Sequence, residues 1–332
     1  MVYAVFVVVL LASFGVSLLF GSVPVSARDC IAALRGAITG VKPAGSSVYI
    51  ASLRIPRALT AGLVGATLSL TGAAMQGLLK NPLADGSTLG VSSGASLGAV
   101  IAIITRVSIP GLPFSGTTVL ASCGAFLSLL LILSLAYRLD GSLSTNTIIL
   151  VGVIFSMFAS SVIQILVTFA GHRARDIMFW TMGSLSGKGR GDVLLMLFAF
   201  AVFGGVLFSL SRELNAFAVG EDNARAVGVN VRRVKLAVLI CVSALIGISV
   251  SVAGTVAFVG LVTPHMVRMV TGPNHRRLMP ASAIAGASFL MLCDLISRTV
   301  LNPRELPIGV VTSLIGAVVF IYIFYAARRR GQ

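Results

Sequence analysis

The chain has 332 residues, 57% of them hydrophobic and only 11% charged, and carries a formal net charge of +15 at neutral pH. Soluble domains are roughly 25% charged, so this composition excludes a soluble enzyme or a nucleic-acid-binding domain and points to a polytopic membrane protein. No polar stretch is long enough for a second domain, and residues 1–332 are read as a single all-α transmembrane domain with about ten spanning helices of about 20 apolar residues each.

The first apolar run ends in a sequence that could pass for a signal-peptidase site. It lacks a basic leader, and its length of about 20 residues exceeds the usual 7 to 15, so 2–22 is expected to be a retained span. Ser26-Ala-Arg-Asp29 has the form of a capping box with Asp in place of Glu. It predicts a surface helix over 27–37 with Ile31 and Leu34 inward. The second span, 57–79, starts beside Arg54 and Arg57. A charge at the bilayer centre costs on the order of 2.5 to 3.5 kcal/mol, so both arginines belong at an interface or with a partner. Asn81-Pro82 ends this span, and Asp85 or Ser87 is placed to cap the next, 88–106.

Spans over 116–137 and 147–170 follow. Between 171 and 192 no crossing is expected; Phe179 and Trp180 beside Gly183-Ser-Leu-Ser-Gly187 read as an interfacial anchor opening a re-entrant or short outer helix. The remaining spans are 193–211, 236–253, 257–270, 279–297 and 307–326. Of these, 257–270 is short and broken by Pro264, which also suits a tilted or partial span.

Ten spans put both termini on one side, expected to be cytoplasmic. That choice leaves 13 of the 25 Lys and Arg residues inside and 12 outside, so the positive-inside rule hardly decides. The compact clusters at 225–235, 268–277 and 328–330 favour it. The outer face then has an excess of seven positive charges, which suits an acidic partner or an anionic solute.

Gly65, Ser69, Ala73 and Gly77 recur every four residues, as do Gly90, Gly94 and Gly98. Such small-residue stripes let helices approach closely in lipid; packing is the preferred reading of these positions and of Gly72, and lining a transport path the alternative. Ser69-x-x-Gly72 with Pro82 is echoed by Ser251-x-x-Gly254 with Pro264, either an inverted repeat or chance in a Gly-rich chain. Pro264-His265 followed by Arg268 is read as structural, since no second histidine stands at ligand spacing. The four cysteines lack metal or disulfide spacing, and Gly183 to Gly189 lacks the spacer and the Ser or Thr of a phosphate loop. No metal site is expected, and no convergent set of titratable residues marks an ion-coupled carrier.

The string Arg54-Ile-Pro-Arg57 followed by Lys80-Asn-Pro-Leu-Ala-Asp-Gly-Ser-Thr-Leu-Gly90 resembles the membrane subunit of the ABC importers for iron-siderophore complexes, haem and vitamin B12. Later blocks resemble that family in the same order: Trp180-Thr-Met-Gly-Ser-Leu185, Ala218-Val-Gly-Glu221, Phe258-Val-Gly-Leu-Val-Thr-Pro-His265, Asp294-Leu-Ile-Ser-Arg298 and Glu305-Leu-Pro-Ile-Gly309. Thr263 departs from the family's usual aliphatic residue. The likeness runs essentially from residue 2 to 326.

This resemblance implies the type II importer permease fold and a transport subunit rather than an enzyme. A homodimer would work with two cytoplasmic ATPase subunits, which hold the ATP and Mg, and with an extracytoplasmic substrate-binding protein. It implies no cofactor in this chain and residence in a prokaryotic inner membrane. The expected cargo is a metal chelate, foremost a ferric siderophore; haem, cobalamin or an oxyanion stay open, and an ion-coupled secondary transporter is the rival class. Arg54, Arg57 and Arg298 are implied to face outward and meet acidic residues of the binding protein. Lipid-headgroup anchoring is the alternative, or for Arg298 a pair with Asp294 one turn earlier. Within the cytoplasmic loop at about 212–235, Gly220 and Gly228 bracket a two-turn helix whose Glu221 and Asp222 suit its amino-terminal dipole. By resemblance this segment, with Ala224 and Arg225, couples ATPase closure to the membrane helices; the alternative is an ordinary solvated loop.

Overall fold

Lipid offers backbone groups no hydrogen-bonding partner, so each spanning segment must bond within itself. The computed structural model describes residues 2–21, 23, 25–40, 45–109, 111, 114–141 and 144–330, and among these there are helices and no strand. The side chains of Ser87 and of Arg328, Arg329 and Arg330 lie outside the described ones.

In chain order the helices are α1 (Val2–Leu19), α2 (Ala27–Thr39), α3 (Ser47–Leu78), α4 (Val91–Thr105), α5 (Gly116–Leu139), α6 (Thr145–Phe169) and α7 (Ala174–Thr181). There follow α8 (Arg190–Ser209), α9 (Ser211–Val219), α10 (Glu221–Ala226), α11 (Val231–Ala253), α12 (Val259–Thr271), α13 (His275–Thr299) and α14 (Ile308–Arg330). Among the described residues seven are long and apolar enough to cross a membrane (α1, α3, α5, α6, α8, α11 and α13), and α4 and Ile308–Ile323 are shorter apolar helices. α12 has 13 residues, about 20 Å of helix, too little for a hydrocarbon core of about 30 Å. The segment expected at 257–270 is therefore a partial span, reached through a non-helical stretch at 254–257.

Two contacts set the directions of the bundle. Tyr3 Oη donates to the Arg277 carbonyl at 2.7 Å, and Arg298 Nη2 donates to the Ser17 carbonyl at 2.5 Å, so α1 and α13 run side by side in the same sense. α3 runs against both, with Arg57 beside Asp294 at one end and Gly77 under the His275 ring at the other. The start of α1 and the loop of α9 and α10 lie at the His275 end, and α14, which begins beside Gly183, runs toward it.

α3 is the central element, 83% buried over its apolar window, whereas α1, α6 and α8 are 17 to 22% buried and present apolar side chains outward. Its small residues explain that position. A Cβ at Gly65 would run into the Gly286 carbonyl of α13, and one at Gly72 into the Gly260 carbonyl of α12. Pro264 has no N–H to give the carbonyl one turn before it; the Gly260 oxygen it leaves free is the atom lying against Gly72. Gly94 and Gly98 admit α5 at Ser128 and Leu120, and Ser69 meets Gly286. Gly90, at φ +81°, caps α4 against the Gly152 carbonyl.

Several local expectations change. Ser26 caps α2 as predicted, accepting the Asp29 N–H at 3.2 Å, but Ile31 is exposed and the inward face is Cys30 and Ala33 with Leu34 partly covered. Gly90 rather than Asp85 caps α4; the Asp85 carboxylate faces the first turn of α12, 2.6 Å from where a Gly260 Cβ would stand. Gly72 is helical at mid-α3, while Gly254, at φ +72°, ends α11, so the echo between 69–82 and 251–264 is not a local structural repeat. α7 and the non-helical 183–189 segment, which turns at Gly187, make no crossing, as expected for 171–192.

Candidate functional site

Ile50–Arg54 is a π-helical turn at the head of α3, a form often found where a helix carries a special side chain. Arg54 donates to the Leu18 and Leu19 carbonyls at 2.7 and 3.2 Å and to the Val23 carbonyl, and its guanidinium lies 5.6 Å from the Tyr49 ring centre. The last carbonyls of α1 have no intrahelical partner and sit at the negative end of its dipole. A cation is the natural cap, and Arg298 completes it through the Ser17 carbonyl.

Arg57 turns the other way. Its Nε and Nη2 lie 3.0 and 2.8 Å from Asp294 Oδ1, and its Nη1 and Nη2 lie 2.8 and 3.0 Å from Glu305 Oε1 and Oε2. Asp294 is 2% exposed and also meets Arg298 Nε at 3.4 Å, the pairing one turn apart weighed above; Glu305 remains 35% exposed. Three guanidiniums thus share two carboxylates and a ring of helix-end carbonyls.

This geometry gives all three arginines partners within their own chain. Arg54 and Arg298 are 3% and 5% exposed, and Arg57 presents both edges to carboxylates of its own chain. In a low-dielectric setting a guanidinium takes the nearest acceptors, and the fold supplies them. Glu305 went unassigned at the sequence level, its only signal being its place at the head of the family-like block Glu305–Gly309 after Arg298. Beside this cluster a cavity of about 390 Å³ opens among Arg57, Phe179, Trp180, Ser184, Glu305 and Pro307.

At the opposite end, Gly220 (φ +147°) and Gly228 (φ +85°) bracket α10 as expected. Ala224 is fully buried, and Glu221 pairs with Lys235 of α11 at 2.9 Å. Arg225 and Asp222 form an exposed pair at 3.6 Å. Lys235 is 4% exposed; nothing in the spacing from Glu221 announces their contact. A second cavity, about 530 Å³, lies between α10, α11 and the head of α6, lined by Thr145, Asn146, Glu221, Arg225, Arg232 and Lys235.

Between these ends the interior holds buried hydroxyls and apolar side chains. Among the described residues no group of three His, Cys, Asp or Glu side chains converges on a metal position, and His265 lies within α12. Gln76 joins α3 to α12, donating to the Leu261 carbonyl at 3.2 Å and accepting from Arg268 Nη2 at 3.1 Å. The arrangement suits a conduit with a fixed arginine cluster at one end and a small, seated helix at the other.

The sequence profile of the FecCD transport family matches residues 9–326. An uncharacterised ABC transporter permease protein, YvrB of Bacillus subtilis, is 44% identical over 282 residues, covering 85% of this chain and 80% of its own. The Fe(3+) dicitrate transport system permease protein FecC of Escherichia coli is 34% identical over 313 residues, covering 94% and 92%. Among solved structures, a chain described as a metal-chelate type ABC transporter in an inward-facing conformation superposes with a TM-score of 0.85 at 29% identity, covering 98% of each chain.

Proposed function

The chain belongs to the FecCD transport family, and from that membership we propose that it carries a ferric siderophore across the membrane by alternating access at a homodimer interface. As an ABC importer permease for metal chelates it performs no hydrolysis itself; ATP is used by a separate subunit. The observation that carries the reading is the family match over nearly the whole chain. The ferric cargo draws support from the likeness to FecC. Haem, cobalamin or an oxyanion is the alternative.

In this reading the His275 end, with both termini, faces the cytoplasm of a prokaryotic cell and the Arg57 end faces out. Two ATPase subunits, holding ATP and Mg, engage the segment between Gly220 and Gly228 through its exposed face, where Arg225 lies, while the buried Ala224 and the Glu221–Lys235 pair seat it on the membrane helices. An extracytoplasmic binding protein docks on the outer face. Arg54 and Arg298 support that face from beneath, Arg57 and Glu305 form its floor, and the exposed Arg28, Arg35 and Arg304 supply charge for acidic residues of the binding protein. A partner carboxylate that reaches Arg57 must displace Glu305. The open apolar sides of α6 and α14, among them Ile154, Met157, Leu314 and Val318, are available to lipid and to a second copy. The stripe glycines pack helices and line the path only indirectly.

Co-purification tests the class: the chain should bring down an ATPase subunit, and uptake should stop when that subunit's phosphate-loop lysine is replaced. Uptake that persists and follows an ion gradient instead would return the secondary transporter. The cargo is read from a panel of ferric siderophores, haem and cobalamin titrated onto the partner binding protein.

A further inference from the structure

α9 leads directly into α10, and its Leu214 and Phe217 are fully buried. From the same helix Asn215 reaches the first turn of α13. Its Oδ1 accepts the His275 backbone N–H at 2.8 Å and lies 2.8 Å from His275 Nδ1, while its Nδ2 donates to Asn274 Oδ1 at 3.0 Å. The orientation of this network is not arbitrary. A backbone N–H can only donate, which fixes the atom facing His275 as the amide oxygen and makes Nδ1 the protonated ring nitrogen. Asn274 Oδ1 likewise accepts the Arg276 N–H at 3.0 Å, capping α13. His275 is 2% exposed, and its ring is wedged against Gly77, where a Cβ would collide with Nε2.

One side chain therefore fastens the segment ahead of α10 to the head of α13, the foot of α3 standing directly behind it. α13 is a continuous helix of 25 residues, about 36 Å long between its first and last residues, and its far end carries Asp294 and Arg298. Pro280 in its second turn leaves the Arg276 carbonyl without its helical N–H partner, but the helical assignment runs unbroken through it, and a helix packed along its length and joined at both ends to polar clusters transmits a displacement that a loosely packed one absorbs. The Glu221–Lys235 pair gives α10 a second hold, on α11, whose far end unwinds at Gly254.

We infer that Asn215 is a positioning residue for transport: through His275 and Asn274 it makes α9 and the head of α13 move as one body, so that displacement of α10 reaches the Arg57–Asp294–Arg298 cluster. This inference rests on the reading that the segment 214–228 engages the ATPase.

The test uses the full complex with its ATPase and binding protein in liposomes. Asn215→Leu keeps the size of the side chain and removes all three hydrogen bonds; chelate taken up per ATP hydrolysed should fall about fivefold or more, the range of a typical coupling between sites, with ATPase activity retained. Asn215→Asp keeps both acceptor contacts to His275 and should restore most of the ratio. An unchanged ratio in Asn215→Leu overturns the inference. Should that variant fail to assemble, spin labels on Ala218→Cys and Arg277→Cys, in a chain that keeps Asn215 and has its four native cysteines replaced, decide. Their separation should stay constant between nucleotide-free and ATP-bound states, and a change beyond the 1 to 2 Å, roughly, of ordinary helix shifts sinks the idea. Ala224→Trp separates the two layers: if it uncouples and Asn215→Leu does not, only this inference fails, and if neither uncouples, the underlying reading of 214–228 fails with it.

Discussion

Arg57 and Asp294 meet at 2.8 Å although 237 residues separate them, and the carboxylate is 2% exposed. The contact joins the head of α3 to the last turns of α13. Because Asp294 also faces Arg298, it is the acid that allows two guanidiniums to sit buried at this end of the bundle.

Asp294→Asn leaves both guanidiniums without their buried counter-charge, a change that costs about 3 to 5 kcal/mol when one partner of a buried pair is removed. The expected outcome is a sharp fall in the thermal midpoint of the detergent-solubilised chain. Glu305→Gln, at the exposed side of Arg57, should cost only about 0 to 1 kcal/mol; equal effects from the two would contradict the division between a buried and a displaceable partner.

Charge reversal sorts the arginines by role. Arg54→Glu and Arg298→Glu would turn a carboxylate toward the Ser17 and Leu18 carbonyls, so these chains should fail to accumulate in the membrane. The triple change Arg28→Glu, Arg35→Glu, Arg304→Glu should assemble normally yet bind the extracytoplasmic partner weakly. For the wild type that association should weaken with added salt, since exposed charges are screened beyond about 10 Å at 0.1 M. Sedimentation of the partner with permease-loaded vesicles measures both.

Gly72→Val pushes α3 off α12 and should reduce folded yield, in line with the 1 to 3 kcal/mol or so of ordinary overpacking; here backbone opposes the new atoms and cannot rotate away. Gly15→Ala in α1, where a Cβ meets nothing within 4 Å, should be neutral. Size-exclusion profiles of the two variants distinguish a packing requirement from a general intolerance of change.

Ala224→Trp cannot be accommodated where Ala224 is fully buried, so α10 must lift from its seat. ATP hydrolysis should continue in the assembled transporter while chelate uptake falls at least tenfold, equivalent to about 1.4 kcal/mol of lost coupling. Parallel assays of phosphate release and uptake check it, and normal uptake would contradict a coupling role for α10.

The sequence alone determined where the apolar helices lie and the fold class, because an apolar run of about 20 residues has few other fates and backbone groups in lipid must bond locally; it counted ten spans where seven described helices have the length and composition to cross. Gly220, Gly228, Asn81-Pro82 and Ser26 were legible for the same reason: they act on their own few residues. The short α12 was half legible, since Pro264 marked the break but not the length. What only the tertiary structure decided is where the charges point. Arg54 and Arg57 declared a need for partners, yet the partners are the end of α1, Asp294 and Glu305, the last 248 residues away from Arg57. The same holds for Lys235 with Glu221 and for Asn215 with His275. Pairing a buried polar group is a non-local demand, met by whichever acceptor the packed helices bring within 3 Å or so, and spacing along the chain does not record which one that is.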